Sequence, residues 1–297
     1  MNATKTLGDG FRVGHWTDER ALTGCTVVLP PHPNVTSCEI RGSSPSSREL
    51  VLLHPDRRLT EVHGVLLTGG SAFGLAAADG VVSHLAKQGI GYDTAVTPVP
   101  IVPAAVIFDL AVGEPDVRPD ADAGRAACEA ASNSPIATGR VGVGAGATVG
   151  KWAGREHASP GGLGVGAATA EGTVVRALAV VNSVGDVIAE DGSVLAGTTS
   201  PDPRYYPALP PEPPIASATV LAVVAVEGAL DKRDVRWVAG RGADGITVAV
   251  RPAHTRYDGD VVFAIASPTP QPSPPNLDLI GVLATQAVAA AIRDAVA

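Results

Sequence analysis

Five side chains in this sequence have the types and settings to carry acyl-transfer chemistry: Thr219, Lys151, Asn182, Asp258 and Asp260. Thr219 opens the run Thr219-Val220-Leu221-Ala222-Val223-Val224-Ala225-Val226, shortly after a stretch with seven prolines between Pro201 and Pro214. Proline has no N–H for a ladder hydrogen bond, so the Pro-rich stretch lies outside the sheet that the apolar run joins. A cut before Thr219 would give its hydroxyl a free α-amine as a built-in base. The plainer reading is a linker followed by a strand that begins with an ordinary threonine. Lys151 is one of only four lysines, against 18 arginines, and it closes a Gly-rich apolar stretch. Where any cation serves, this chain uses Arg. Lysine at 151 therefore points to a need for a compact ammonium with an adjustable pKa, the alternative being a surface lysine at a helix end. Asp258-Gly259-Asp260 precedes the apolar run 261–266. Residues two apart in an extended chain face one side, so both carboxylates can enter one site, unless the triplet is only an Asp-Gly turn. Asn182 follows the apolar run 174–181, where its amide either donates to an oxyanion or caps the strand end.

The elements that must position these groups alternate along the chain. Residues 25–29 and 50–53 read as short strands among Pro, Gly and Ser turns, and 62–67 as a compact strand ending at Gly69-Gly70. Ser71 then caps a helix running to about Lys87. Residues 120–131 form an Ala-rich helix, and 139–150 a loop with glycine at nearly every second position. Residues 174–181, 220–226, 247–250 and 261–266 read as buried strands, with a helix near 231–239. A second Pro-rich loop covers 268–275, and Ile280, Leu283, Val288, Ile292 and Val296 recur at helical spacing over 277–297. This is layered α and β structure without a strict βαβ repeat.

Several classes of function are excluded. The segment RVGVGAGATVGKW carries Ala145 where a phosphate loop needs its first glycine, and Trp152 where it needs Ser or Thr. Gly142, Gly144 and Ala147 fit a dinucleotide fingerprint loosely, with no acidic residue at the expected spacing. The net charge is −8 with no basic stripe, which argues against nucleic acid as a partner. Cys25, Cys38 and Cys128 form no CxxC pair or zinc set; they read as buried thiols in a reducing compartment. The seven histidines show no ligand spacing, and GGSAFG around Ser71 is not a nucleophile elbow. No secretory signal and no membrane-length apolar stretch is visible. The expected setting is cytoplasmic.

Taken together, the strings RVGHWTDERALTGCTVVL, VLLTGGSAFGLAAADGV, PVPIVPAAVIFDL, GVGAGATVGK, AVVNSVGDV, ATVLAVVA and HTRYDGDVVFAIA resemble the DmpA-type aminopeptidase/esterase family. That family includes β-peptidyl aminopeptidases and the nylon-oligomer endo-hydrolase, and the segments stand in family order over nearly the whole chain. The resemblance implies an α+β fold, a four-layer αββα sandwich like that of N-terminal-nucleophile hydrolases but differently connected. It implies one domain over 1–297, self-cleaved into 1–218 and 219–297, a homotetramer, a small peptide, amide or ester as substrate, and no metal or organic cofactor. Residue by residue, Thr219 matches the nucleophile, Lys151 the lysine ending the Gly-rich loop, Asn182 the asparagine ending a strand, and Asp258 and Asp260 the paired aspartates. In that reading Lys151 lowers the pKa of the Thr219 amine, the aspartates balance charge, and Asn182 with backbone amides holds the oxyanion. Ala218 departs from the Asn or Gly found before many such nucleophiles, Val220 from the polar residue after them, and Phe108 from a tyrosine. Ser217 is the fallback nucleophile. The alternative function is an uncleaved pseudoenzyme that binds a small amide or acid in the same pocket.

Overall fold

The computed structural model describes residues 5–201, 218–268 and 276–297. Along the chain come β1 (Arg12–Asp18), β2 (Thr23–Leu29), β3 (Val35–Ile40), β4 (Ser47–Arg48), β5 (Val65–Thr68), α1 (Ala77–Lys87), β6 (Ala104–Val106) and α2 (Ala121–Glu129). Then follow β7 (Thr148–Val149), β8 (Ser159–Pro160), β9 (Gly162–Ala170), β10 (Thr173–Asn182), β11 (Asp186–Ile188), β12 (Val194–Ala196) and β13 (Thr219–Glu227). The last elements are α3 (Lys232–Ala249), β14 (Val250–Arg251), β15 (Val261–Ser267) and α4 (Leu277–Asp294). One five-stranded sheet has the order β1-β2-β5-β6-β4 and a second the order β3-β15-β13-β10-β9. Strand β13 lies at the centre of the second sheet. It is antiparallel to β10 and parallel to β15, so Asn182 pairs with Thr219 and Leu221 with Val261.

The alternation of strand side chains decides the layers. Val220, Ala222, Val224 and Val226 pack against Val235, Ala239 and Ile246 of α3 and Ile280, Leu283 and Val288 of α4. Leu221, Val223 and Ala225 face the other way and meet Val28, Val65, Leu67 and Ala105 of the first sheet. The outer face of that sheet, through Val27, Leu29 and Leu66, is covered by Val81 and Leu85 of α1 and Ala123 and Ala127 of α2. The order of layers is therefore α, β, β, α, as the resemblance implies. Each fully buried Val or Leu contributes about 1.5–3 kcal/mol to holding the layers together. Both helices on the second sheet start at side-chain caps: Asp231 accepts from the N–H groups of Arg233 and Asp234, and Asn276 from that of Leu279. Among the described residues no helix is long and apolar enough to cross a membrane.

Local structure departs from the sequence reading in four places. Leu50–Leu53 is a 3-10 helix, its buried Leu50 and Leu53 spaced for one face of such a turn. The strand expected at 62–67 is Val65–Thr68. Ser71 caps nothing: it starts a 3-10 turn with φ 54°, and α1 begins only at Ala77. The strand expected at 247–250 is mostly the last turn of α3, which runs past Ala239 to Ala249 because Ala243, Ile246 and Ala249 continue its buried face. Ser217 and most of both Pro-rich stretches lie outside the described residues.

Candidate active site

The site forms where β10, β13 and the start of β15 come side by side. Thr219 is the first residue of β13, and Asn182 the last of β10. Antiparallel pairing puts them directly opposite, which is why two residues 37 apart in sequence (219 minus 182) share one place. The loop 258–260 is clamped from two directions. The N–H groups of Arg41 and Gly42 donate to the Asp260 carbonyl, and that of Ser44 to the Asp258 carbonyl. Across from these, the Gly259 N–H donates to the Ala218 carbonyl at 2.9 Å. The Thr219 hydroxyl donates to the same oxygen at 2.5 Å. The carbonyl of the bond before Thr219 thus accepts a fixed backbone donor and lies against the nucleophile candidate. Only glycine permits this approach at 259: a Cβ there would stand 2.6 Å from the Ser44 carbonyl oxygen and 3.0 Å from the Thr219 Oγ1.

Lys151 arrives through Gly150, whose φ of 73° and contact with the 197–198 backbone leave no room for a side chain. Its ammonium is buried and donates to the carbonyls of Thr148 at 2.7 Å and Asn182 at 2.9 Å, to Asn182 Oδ1 at 2.8 Å, and to the Ser183 carbonyl at 3.2 Å. Burial pulls its pKa well below the ordinary lysine value, while the charge of Asp258 opposes the fall. Four oxygen acceptors around three ammonium hydrogens favour the charged form in this state. Asn182 Oδ1 also accepts the Thr148 N–H at 3.0 Å. With its oxygen facing two donors, the amide turns its nitrogen the other way, where it donates to the Phe108 carbonyl at 3.1 Å.

The two aspartates share the site but not their partners. Asp258 Oδ2 accepts the Thr255 N–H at 2.8 Å and its hydroxyl at 2.6 Å, and Asp258 stands in a one-residue parallel bridge to Ala218. Burial, then the charge of Asp260, pushes its carboxyl up to about 6. Asp260 Oδ1 accepts the Val220 N–H at 2.6 Å, and its Oδ2 meets His254 Nδ1 at 2.7 Å. Trp152, Val184 and Ala218 form a small apolar cluster beside these groups.

All five residues singled out in the sequence are therefore brought together. The expectation that two carboxylates would face one side is met only in part, since Asp260 grips the Val220 N–H beside Thr219 while Asp258 holds Thr255 and the Val184 N–H. Lys151 reaches Asn182 and backbone carbonyls, and the Thr219 hydroxyl has Ala218 as its partner. Gly259 and His254 were missed. Gly259 acts through its backbone, which leaves no signature in a sequence. His254 follows no ligand spacing, and its nearness to Asp260 in HTRYDGD was the available signal.

A four-layer sandwich that presents a strand-opening threonine beside a buried lysine, an amide and two carboxylates is a frame for amide-bond hydrolysis. The chain matches the model of peptidase family S58 over residues 8–297 and belongs to that family. It is a hydrolase of peptide or amide bonds. An uncharacterized aminopeptidase of Mycobacterium tuberculosis is 40% identical over 293 residues, covering 90% of this chain and 82% of the relative. A 6-aminohexanoate-oligomer endohydrolase of Kocuria sp. is 30% identical, covering 87% and 73%. Among solved structures, a Burkholderia sp. beta-aminopeptidase superposes with a TM-score of 0.74 at 20% identity, over 99% of this chain and 86% of the other. An L-aminopeptidase D-Ala-esterase/amidase from Ochrobactrum anthropi, described as a new variant among the Ntn hydrolase fold, gives 0.70 at 16% identity, over 98% and 85%.

Proposed function

We propose that this hydrolase is made as a precursor and cuts itself between Ala218 and Thr219, giving chains 1–218 and 219–297, and that Thr219 is then its N-terminal nucleophile. The observation that carries the proposal is the Ala218 carbonyl, which accepts the Gly259 N–H at 2.9 Å while the Thr219 hydroxyl sits on the same oxygen. Attack of Thr219 Oγ1 on the Ala218 carbonyl carbon forms a C–O bond and turns that oxygen into an oxyanion. The Gly259 N–H already points at it and needs no reorganisation. Collapse breaks the C–N bond, and the hydroxyl proton ends on the nitrogen, which becomes the α-amine. Water then hydrolyses the ester, releasing the Ala218 carboxylate and restoring the hydroxyl.

Turnover repeats the step on a substrate carbonyl. The α-amine takes the hydroxyl proton and passes it to the leaving group. An α-amine ordinarily titrates near about 8, and burial beside Lys151 lowers that value toward the working range of a base. The Gly259 N–H, freed of Ala218, and an N–H of Asn182 hold the substrate oxyanion. Lys151 fixes which way the Asn182 amide points. Asp258 and Asp260 balance the two cationic groups. The substrate is a small peptide, amide or ester, and a homotetramer in the cytoplasm is the expected form, to be checked by light scattering and fractionation.

The test is Thr219→Ala against Thr219→Ser, with band splitting and hydrolysis of an aminoacyl anilide cleaved by wild type as readouts. Thr219→Ala should neither split nor hydrolyse, and Thr219→Ser should do both. Hydrolysis by Thr219→Ala at the wild-type rate would sink the proposal.

A further inference from the structure

We propose that His254 is a positioning residue of this site: as an imidazolium it holds Asp260 in the carboxylate form that grips the Val220 N–H, and so fixes the backbone on which Thr219 acts. The inference rests on the reading of Thr219 as nucleophile. Both ring nitrogens of His254 face oxygen. Nδ1 stands 2.7 Å from Asp260 Oδ2, and Nε2 stands 3.2 Å from the Ala243 carbonyl of α3. A carbonyl oxygen only accepts, so Nε2 carries a hydrogen. The other oxygen of Asp260 accepts the Val220 N–H, so Asp260 bridges the imidazole and the peptide after the nucleophile. His254 itself is held with φ 53°, which suits a fixed loop position rather than a freely chosen turn.

The charges around the ring agree with this assignment. Burial works against the imidazolium, but the hydrogen bond and charge of Asp260 outweigh it and raise the His254 pKa, with help from the Ala243 carbonyl. Arg41, from the segment after β3, opposes, though its own charge is spent on Glu39 and Asp244. The charge of Asp260 also acts on Asp258, whose carboxyl is pushed up by burial first and by Asp260 second. A histidine with a raised folded pKa contributes fully below its unfolded value of about 6.5 and loses the contribution as pH rises through the folded value. The clamp is therefore fully present in mildly acidic solution and is lost as pH rises through the folded value. In mildly acidic solution its positive charge opposes proton uptake by Asp258. Without the ring, Asp258, whose carboxyl is already pushed up to about 6 by burial and then by the charge of Asp260, would take up its proton at a higher pH.

The experiment uses the full chain with His254→Gly, because glycine accepts φ 53° without strain and leaves a ring-sized gap. His254 is 16% exposed, so added imidazole can reach the gap. Self-splitting and anilide hydrolysis are followed from pH 5 to pH 9. The proposal expects the acid limb of kcat to move up by about one pH unit, which is roughly tenfold slower turnover on the limb, with KM within about twofold. Added imidazole should restore the rate. A limb at the wild-type pH, or no response to imidazole in a variant with wild-type melting, overturns the proposal and assigns His254 to the loop alone. Should the variant fail to fold, histidine nitrogen shifts of the wild type decide, since the absence of any histidine that titrates above 6.5 overturns it. Thr219→Ala is run beside it. An active Thr219→Ala removes the underlying mechanism, whereas an inactive Thr219→Ala with an unaltered His254→Gly removes only this inference.

Discussion

Replacing Gly259 with alanine tests the oxyanion geometry with the smallest possible change. The new Cβ would lie 2.6 Å from the Ser44 carbonyl oxygen and 3.0 Å from Thr219 Oγ1. The first neighbour is backbone and cannot rotate away, so residues 258–260 must shift. That shift takes the Gly259 N–H off the Ala218 carbonyl, where it now sits at 2.9 Å. Losing one oxyanion donor costs about 2.7–4 kcal/mol of transition-state stabilisation, or roughly 10²–10³ in rate. Overpacking adds a separate ground-state cost of about 1–3 kcal/mol, which melting reports and splitting rates do not. The assay follows the first-order splitting of freshly purified precursor on denaturing gels, alongside its melting temperature. Gly259→Ala should melt a few degrees lower, and split about a hundredfold more slowly at a temperature where it is fully folded. Splitting within threefold of wild type would refute the reasoning, because a donor that can be displaced without effect stabilises nothing in the transition state.

Other outcomes follow from the same geometry. Lys151→Arg should lose most activity although charge is kept, since a planar guanidinium cannot fit a pocket of four oxygens built around one Nζ; activity within about threefold of wild type would assign Lys151 to a structural role. The kcat/KM profile should fall on the acid side near pH 6, because the Asp258 carboxyl is pushed up to about 6 and its charge is lost as pH falls through that value; in Asp258→Asn the residual activity should be flat across that region. Asp260→Asn should slow splitting and turnover together, because the amide cannot both accept the Val220 N–H and carry the charge that pairs with His254; an effect on turnover alone would separate the two steps.

Layered α and β structure was legible in the apolar runs, whereas the four-layer sandwich was legible only through the family resemblance. In β13 every residue from Thr219 to Val226 is buried, so the run reads as a central strand whichever face is considered. Four of the five candidate residues stand out by placement: a lysine in an arginine-using chain, a threonine where prolines stop, and two aspartates around one glycine; Asn182 is marked only by closing an apolar run. What was not legible follows from physics that acts across the fold. The last turn of α3 carries Thr247 and Val248, good strand formers, yet it stays helical because Ile246 and Ala249 bury against the sheet. The role of Gly259 lies in a backbone N–H and an absent Cβ, and that of His254 depends on a carbonyl of α3. Neither has a periodic signature.

The central claim is tested most directly by intact mass and N-terminal sequencing of the purified wild-type protein after prolonged incubation. The account predicts two chains, the smaller beginning Thr-Val-Leu-Ala at Thr219. A single uncut chain of 29.9 kDa that still hydrolyses substrate, or a small chain beginning at Ser217, would contradict it.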